Sequence, residues 1–475
     1  MSATVLFPEP IPPVRPIIFI RLSPSVAQEE KFDAIVVGAG PAGISAAITM
    51  ANAGLQVVVL ERGEKAGAKN VMGGILYRQM LEEVVDQAWK EAPIERPIIE
   101  EQRWFMTRDA AMRVLGHKNF RHRERPNSWS VLRARFDPWY AGKAEAAGAL
   151  VIYETVAERL LREGGKVVGV RTGREGDLLA DVVVICEGIG LGARLLEKAG
   201  LKAPLKADQV AVAVKEVMQL DAGKIEDRFN LEAGEGCSIE CFGDSTMGLS
   251  GFMFIYTNQD TLSVGGGCLL SDYNGGVISA EDVGRSHGRP VSPNELMEHF
   301  KNHPAIKPLL RGAETVEYLA KLIPEGGYKA IPKLYGDGYL VCGDAAMLSN
   351  PVHREGSNLA MASGRIAGEI VIRAKQLGNF SEETLWEYKG RLDHSWVMAD
   401  MKKYDGAVPL LEHNPQFLTK YPELLDRALE EFFKVDGLSK REKQRRIIKM
   451  FRKEAGLRFL LDNLKAARAM GFLPP

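Results

Sequence analysis

The earliest residues in the chain whose spacing implies chemistry are the glycines of "GAGPAG". Gly38, Gly40 and Gly43 make G-x-G-x-x-G between the apolar run "AIVV" and a helical run that opens at Pro41 and Ala42. The first glycine permits a tight turn, the second lets a pyrophosphate approach the backbone, and the third lets helix and strand pack closely. The amides at the start of that helix point at phosphate. After the helix, "QVVVLE" ends at Glu61, 18 residues beyond Gly43, and a carboxylate there accepts the hydroxyls of an adenosine ribose. A carboxylate at that point repels the 2′-phosphate of NADP, but the motif alone leaves FAD and NAD both open.

A second constellation stands far downstream, in "YLVCGDAAMLSNPVHREGSNLAMASG", Tyr339 to Gly364. A short apolar strand ends at Gly343 and Asp344, and Gly356 and Asn358 open a helix. A Gly-Asp turn followed by an Asn cap gives the same letters without any ligand. Paired with the first motif, it has a more specific meaning. FAD is long: a Rossmann unit holds its AMP half, and the ribityl chain and flavin need further backbone amides and a polar group. Gly343 offers close approach, Asp344 accepts hydroxyls, and the amides of the second helix face the flavin edge where negative charge gathers on reduction. The site is divided because the cofactor is long.

These motifs require a parallel sheet with a glycine turn at the end of its first strand, which is an α/β architecture. At 475 residues the chain has room for further domains. Its net charge of −1 points to neither nucleic acid nor an acidic partner. The five cysteines, Cys186, Cys237, Cys241, Cys268 and Cys342, are an odd and scattered set that suits a reducing compartment. None follows Cys342, so they read as small core residues rather than cluster ligands. The eight histidines form no ligand pattern, and His353 and Arg354 are the candidates for proton delivery. No apolar run reaches the ~20 residues of a membrane-spanning helix.

The segments "DAIVVGAGPAGISAA", "ERGEKAGAKNVMGGILY", "SVLRARFDPWYAGKAEAAG", "GFMFIYTNQDTLSVGGG" and "AKLIPEGGYKAIPKLYGDGYLVCGDAAMLSNPVHREGSNLAMASG" resemble the FixC and electron-transfer-flavoprotein:quinone oxidoreductase family. That family sits within the FAD-dependent oxidoreductases of the glutathione-reductase and hydroxybenzoate-hydroxylase type. The resemblance implies a Rossmann-type FAD domain, a mixed antiparallel-sheet substrate domain and a helical C-terminal region. It implies FAD-binding roles for Gly38, Gly40, Pro41, Ala42, Gly43 and Glu61, and for Gly343 and Asp344 at the ribityl chain. Arg62 and Arg133 would face phosphate or adenine, Gly73 and Gly74 would let backbone approach the flavin, and Gly356, Ser357 and Asn358 would meet its pyrimidine edge. The absence of cysteines after Cys342 follows the FixC pattern, in which an iron–sulfur cluster belongs to a separate ferredoxin-like FixX protein. The other implied partners are electron-transfer-flavoprotein subunits of the FixA/FixB type and a membrane quinone. The implied place is the cytoplasm, peripheral at the inner face of the membrane. Cys186-Glu187-Gly188 stands where hydroxylases carry Asp-Gly, which disfavours hydroxylation. The glycines of "GIGLG" have no acid-ended unit behind them to make a separate NAD site. An isoprenoid-lipid reductase of the geranylgeranyl type and a flavin-bearing scaffold are the alternatives.

The expected division is a Pro-rich leader over residues 1–30, a discontinuous FAD domain over 31–205 and 323–375, a substrate domain over 206–322 and a helical region over 376–475. The leader holds six prolines and reads as disordered. In the substrate domain, Met247 to Tyr256 is apolar and aromatic. It reads as core strand or as a lipid-facing surface carrying Phe252, Phe254 and Tyr256. Near the end, Ile447, Met450, Phe451, Leu457 and Leu460 suggest one apolar stripe under a basic face of Arg445, Arg446, Lys449 and Arg452. Such a face is either solvated or a site for anionic lipid.

Overall fold

Strand β1 (Lys31–Val37) ends in four consecutive buried residues, Ala34 to Val37. A strand covered on both faces is apolar at successive positions rather than alternate ones. The computed structural model describes residues 31–68, 70, 73–189, 194–273, 290–353 and 355–473. The expected leader, Arg354 and the later glycines of "GIGLG" lie outside these. Helix α1 (Pro41–Asn52) follows the glycine turn with Pro41 in its first turn, where a missing N–H costs nothing. It returns the chain to β2 (Val57–Leu60), and then come β3 (Gly73–Tyr77), β4 (Ile98–Met106), β5 (Ala111–Lys118), β6 (Ser128–Leu132) and α2 (Arg133–Ala146). Next are β7 (Leu150–Ile152), β8 (Ala157–Glu163), β9 (Lys166–Thr172) and β10 (Gly176–Ile185).

The middle of the chain supplies β11 (Val210–Gln219), β12 (Gly236–Gly243), β13 (Gly251–Thr257), β14 (Thr261–Leu269), α3 (Pro293–Asn302) and β15 (Glu314–Pro324). It returns through β16 (Tyr335–Gly336) and β17 (Tyr339–Val341) to the long helix α4 (Ser357–Leu377). The C-terminal helices include α5 (Glu382–Asp393), α6 (Trp396–Lys403), α7 (Lys420–Phe433), α8 (Lys440–Glu454) and α9 (Gly456–Ala469), with a shorter helix over Ala407–His413.

The first sheet runs β16-β17-β10-β1-β2-β7, with β9 joined to β10 and β8 joined to β9. β1 is parallel to β2 and to β10, and β10 is parallel to β17. The turn after β1 and the turn after β17 therefore emerge at the same edge, although their sequences are far apart. Helices α1 and α4 pack against each other so closely that a Cβ on Gly364 would stand 2.0 Å from the Ala42 carbonyl oxygen. Ile44 and Met50 of α1 share one buried core with Ile366 and Ile370 of α4.

The second sheet runs β15-β11-β14-β13-β12-β4-β5 and is antiparallel except for the parallel pair β12–β4. Strands β4 and β5 fall within the stretch expected to bind FAD, yet their hydrogen bonds put them here. One face of this sheet, with Val214, Ile239, Met253, Ile255 and Val264, packs on Leu296, Met297 and Phe300 of α3. The opposite face carries Phe254 and Tyr256, which pack with Ile75 of β3 and Ile98 of β4. Among the described residues no helix is long and apolar enough to cross a membrane.

Candidate functional site

The two turns at the shared edge of the first sheet open onto one cavity of about 650 Å³. Gly38 closes β1 with φ +105°, and a Cβ there would stand 2.4 Å from the Cys186 carbonyl oxygen, so only glycine fits. A Cβ on Gly43 would lie 2.0 Å from the Gly38 carbonyl oxygen, which makes it the helix-packing glycine. Gly40 differs: nothing lies within 4 Å of where its Cβ would be. Its missing side chain leaves room for something outside the chain. Beneath the turn, Glu61 accepts from the Ala39 amide at 3.0 Å and from the Gly63 amide at 2.7 Å. The carboxylate is thus fixed at the end of β2 and faces the cavity.

The second motif comes against the first. Gly343 has φ +62°, its Cβ position is 3.0 Å from the Ala42 side chain, and its amide donates to Ser363 of α4 at 3.0 Å. Asp344 lines the cavity, with the Lys321 ammonium 4.0 Å from its carboxylate. Ser357, the first residue of α4, accepts a hydrogen bond of 3.3 Å from Arg133. Arg133 is buried and held by both oxygens of Asp137, at 2.5 and 2.8 Å. A buried, bidentate guanidinium of this kind has its plane fixed and one arm left to reach into the cavity.

Gly38, Gly40, Pro41, Ala42, Glu61, Arg62, Arg133, Gly343, Asp344, Gly356 and Ser357 all line this space. Gly43 stands behind it. Gly73 and Gly74 lie on β3, paired with Leu132 and Val131, and Gly74 is not among the lining residues. Asn358 is 7 % exposed, and among the described residues its Oδ1 is buried with no hydrogen-bond partner. An orphaned acceptor at the head of α4, an open side at Gly40 and a fixed carboxylate under the first turn fit an FAD laid across both turns. Its two-electron chemistry is the cofactor's own, and the chain supplies position and electrostatics.

One charged group that the motifs did not announce lines the same space, and others are buried or half-buried outside its lining. Lys321 of β15 lines it, and burial lowers its pKa while Asp344 opposes that shift. Lys202 donates to the Ala345 carbonyl at 3.2 Å. Burial also lowers its pKa, against the pull of Glu187, Glu197 and Asp344. Burial, with Asp344 adding to it, pushes the Glu325 carboxyl up to about 8. On β11, burial pushes the Lys215 ammonium down to about 7, with Glu317 opposing and Arg133 assisting. The signal available in the sequence was a lysine inside each of two apolar strand runs, "VAVAVKEVMQL" and "YLAKLIP". Glu187 uses its carboxylate on the amides of Leu195 and Leu196, at 3.0 and 3.3 Å, capping a short helical turn.

Two expectations about surfaces change. Phe254 and Tyr256 are 6 % and 4 % exposed, on a strand with neighbours on both sides, and their rings stack at 4.3 Å. The core-strand reading of Met247 to Tyr256 holds for these two rings, because an inner strand of a sheet packed on both faces has no lipid-facing side. Phe252, Phe242 and Phe105 continue the row at ring separations of 6.5, 5.7 and 6.1 Å. At the C-terminus the expected single stripe divides. The helix breaks at Ala455 and Gly456, Phe451 packs on Phe459, and Leu457 and Leu460 are 71 % and 57 % exposed. His353 meets the Tyr404 hydroxyl at 3.0 Å in the loop ahead of α4. All five cysteines are buried free thiols, and among the described residues no cluster of metal-ligating side chains occurs.

Residues 33–238 match the family model for FAD dependent oxidoreductases, and residues 407–471 match that for the ETF-QO/FixC family C-terminal domain. The chain is 45 % identical over 448 residues to protein FixC of Bradyrhizobium diazoefficiens, covering 93 % of this chain and 99 % of that one. It is 38 % identical over 449 residues to the probable electron transfer flavoprotein-quinone oxidoreductase of Escherichia coli, covering 93 % and 100 %. A geranylgeranyl bacteriochlorophyll reductase-like protein of Thermoplasma acidophilum superposes with a TM-score of 0.66 over 91 % of this chain and 99 % of that one. At 19 % identity, that likeness is one of fold.

Proposed function

This chain belongs to the FixC/electron-transfer-flavoprotein:quinone oxidoreductase family and is an FAD-dependent oxidoreductase, and we propose that it takes electrons from a reduced electron-transfer flavoprotein and passes them to quinone. The donor is of the FixA/FixB type. In this reading a separate ferredoxin-like FixX protein carries the iron–sulfur cluster. The observation that supports this reading most is the 45 % identity to FixC sustained over 93 % of the chain, catalytic part and C-terminal helices together.

The residues divide the work by position. Gly38, Gly40 and Glu61 hold the adenosine diphosphate part of FAD, Asp344 the ribityl chain, and Gly356, Ser357 and Asn358 the pyrimidine edge. Arg133 is fixed by Asp137 and reaches the same end as Ser357, placing positive charge where electrons arrive. The quinone approaches from the second sheet, along the half-buried rings of Phe242 and Phe252 rather than the covered Phe254. A quinone is held in lipid, so the protein meets the inner face of the membrane peripherally. The surface for this is α9, with Leu457, Leu460, Leu461 and Leu464 exposed on one side.

Anaerobic mixing with reduced electron-transfer flavoprotein tests the direction of flow. The FAD of this protein should bleach, and a water-soluble quinone analogue should restore its colour. Bleaching by the flavoprotein without reoxidation by quinone would remove the acceptor from the proposal. No bleaching would remove the donor.

A further inference from the structure

The turns after β1 and β17 and the head of α4 supply most of the cavity lining, and β15 adds Leu319, Ala320, Lys321 and Ile323. β15 is the edge strand of the second sheet, so these four reach the site from outside the unit that carries the glycine motifs. Three of them are apolar. A lysine among them carries a desolvation cost that a countercharge must offset. Asp344 is that countercharge: its carboxylate, on the turn after β17, lies 4.0 Å from the Lys321 ammonium. The charges of Arg133, Asp137 and Arg62 also act on Lys321, and all three residues line the same cavity. The lysine thus belongs to the site by position and by its electrostatic surroundings.

We propose that Lys321 contacts FAD from the second sheet and that its ammonium holds the reduced cofactor more strongly than the oxidised one. This rests on the reading of the cavity as an FAD site, and not on the identity of the electron donor or acceptor. In that reading Asp344 takes the ribityl chain and Ser357 meets the pyrimidine edge. Lys321 neighbours Asp344 directly, and it feels the charge of Arg133, which reaches Ser357 at the head of α4. Its ammonium therefore stands at the end of the cavity where negative charge gathers on reduction. Its role is electrostatic: no bond to Nζ forms or breaks, and the electrons come from the external reductant.

The direction follows from Coulomb's law. A fixed positive charge favours whichever state of the cofactor carries more negative charge, which is the reduced one. Between groups several ångströms apart in a partly buried site, such an interaction is worth about tenfold in an equilibrium constant. Removing the charge should therefore weaken the hold on reduced FAD, relative to oxidised FAD, by about that factor. For a two-electron couple a tenfold change lowers the midpoint potential by about 30 mV.

Potentiometric titration of the FAD-loaded protein at one fixed pH, with dithionite and mediator dyes, tests this without any protein partner. Lys321→Met, similar in length but uncharged, should lower the midpoint by about 30 mV. Lys321→Arg, which keeps the charge, should stay near the wild-type value; a residue that only shaped the wall would not sort its variants by charge. Equal midpoints in the wild type and Lys321→Met would overturn the proposal. If Lys321→Met folds by circular dichroism but holds no FAD, Lys321→Gln takes its place. If neither neutral variant holds FAD, Lys321→Arg decides. FAD retained there at the wild-type midpoint supports a charge contact, and FAD lost there overturns it. A wild type that holds no FAD would instead remove the reading of the cavity on which the proposal rests. Equal midpoints in loaded proteins would leave that reading, and the flavoprotein-to-quinone direction, untouched.

Discussion

Single atoms separate the roles of the three motif glycines. Gly43 has a carbonyl 2.0 Å from where a Cβ would be, while Gly40 has nothing within 4 Å. Gly40→Val should therefore leave the fold intact and abolish FAD binding, because the new side chain occupies the pyrophosphate's approach. Gly43→Val should destabilise the protein itself. Circular dichroism together with FAD released on heating reads both, and a Gly40→Val protein with full FAD content would remove the assignment. Asp344 makes a quantitative demand. If it accepts the ribityl hydroxyls, Asp344→Ala loses a charge-assisted hydrogen bond worth about 1.5–3 kcal/mol. FAD affinity then falls roughly ten- to hundredfold. An unchanged dissociation constant by fluorescence titration would reduce Asp344 to a turn residue.

Elements decide which apolar groups can meet a membrane. β13 cannot, because β12 and β14 flank it and Phe254 and Tyr256 are covered. α9 can: Leu457, Leu460, Leu461 and Leu464 recur at the three- and four-residue spacing of one helical face and are exposed. Arg445, Lys449 and Arg452 are exposed on α8 beside it. Liposomes with anionic lipid should bind the protein through both features. Charge attraction is screened over about 8–10 Å at physiological ionic strength, whereas apolar insertion survives salt. Flotation should weaken but persist at high salt in the wild type, and the persistent part should vanish in Leu460→Glu/Leu461→Glu. A wild type that floats at neither salt concentration would place the membrane contact on a partner.

At the scale of the molecule, the cofactor site joins segments that begin near residue 38 and end near residue 358, through the parallel neighbours β1, β10 and β17. A ligand laid across both turns binds the folded chain and not the unfolded one. FAD at a hundredfold excess over its dissociation constant should stabilise the fold by about 2.7 kcal/mol. Thermal unfolding with and without FAD checks this. The gain should be absent in Gly40→Val, and a midpoint that FAD does not move in the wild type would mean that the two turns do not share one ligand.

The sequence by itself determined what depends on neighbours along the chain. Gly38, Gly40, Gly43 and Glu61 lie within one strand-turn-helix-strand unit, so their spacing carries their geometry, and Gly38, Gly40 and Glu61 line the cavity. Gly343, Asp344, Gly356 and Ser357 were legible for the same reason, as a turn and a helix start. The tertiary structure decided whatever depends on register between distant strands. A strand places alternate residues on opposite faces, and nothing local says which face meets the cofactor. Only the pairing of β15 with β11 brings Lys321 to the cavity lining. Only the parallel pairing of β12 with β4 draws residues 98–118 into the second sheet. The C-terminal stripe divided for a related reason. Helical periodicity assumes an unbroken axis, and the positive φ of +54° at Gly456 ends that axis, turning Leu457 and Leu460 outward while Phe459 packs inward.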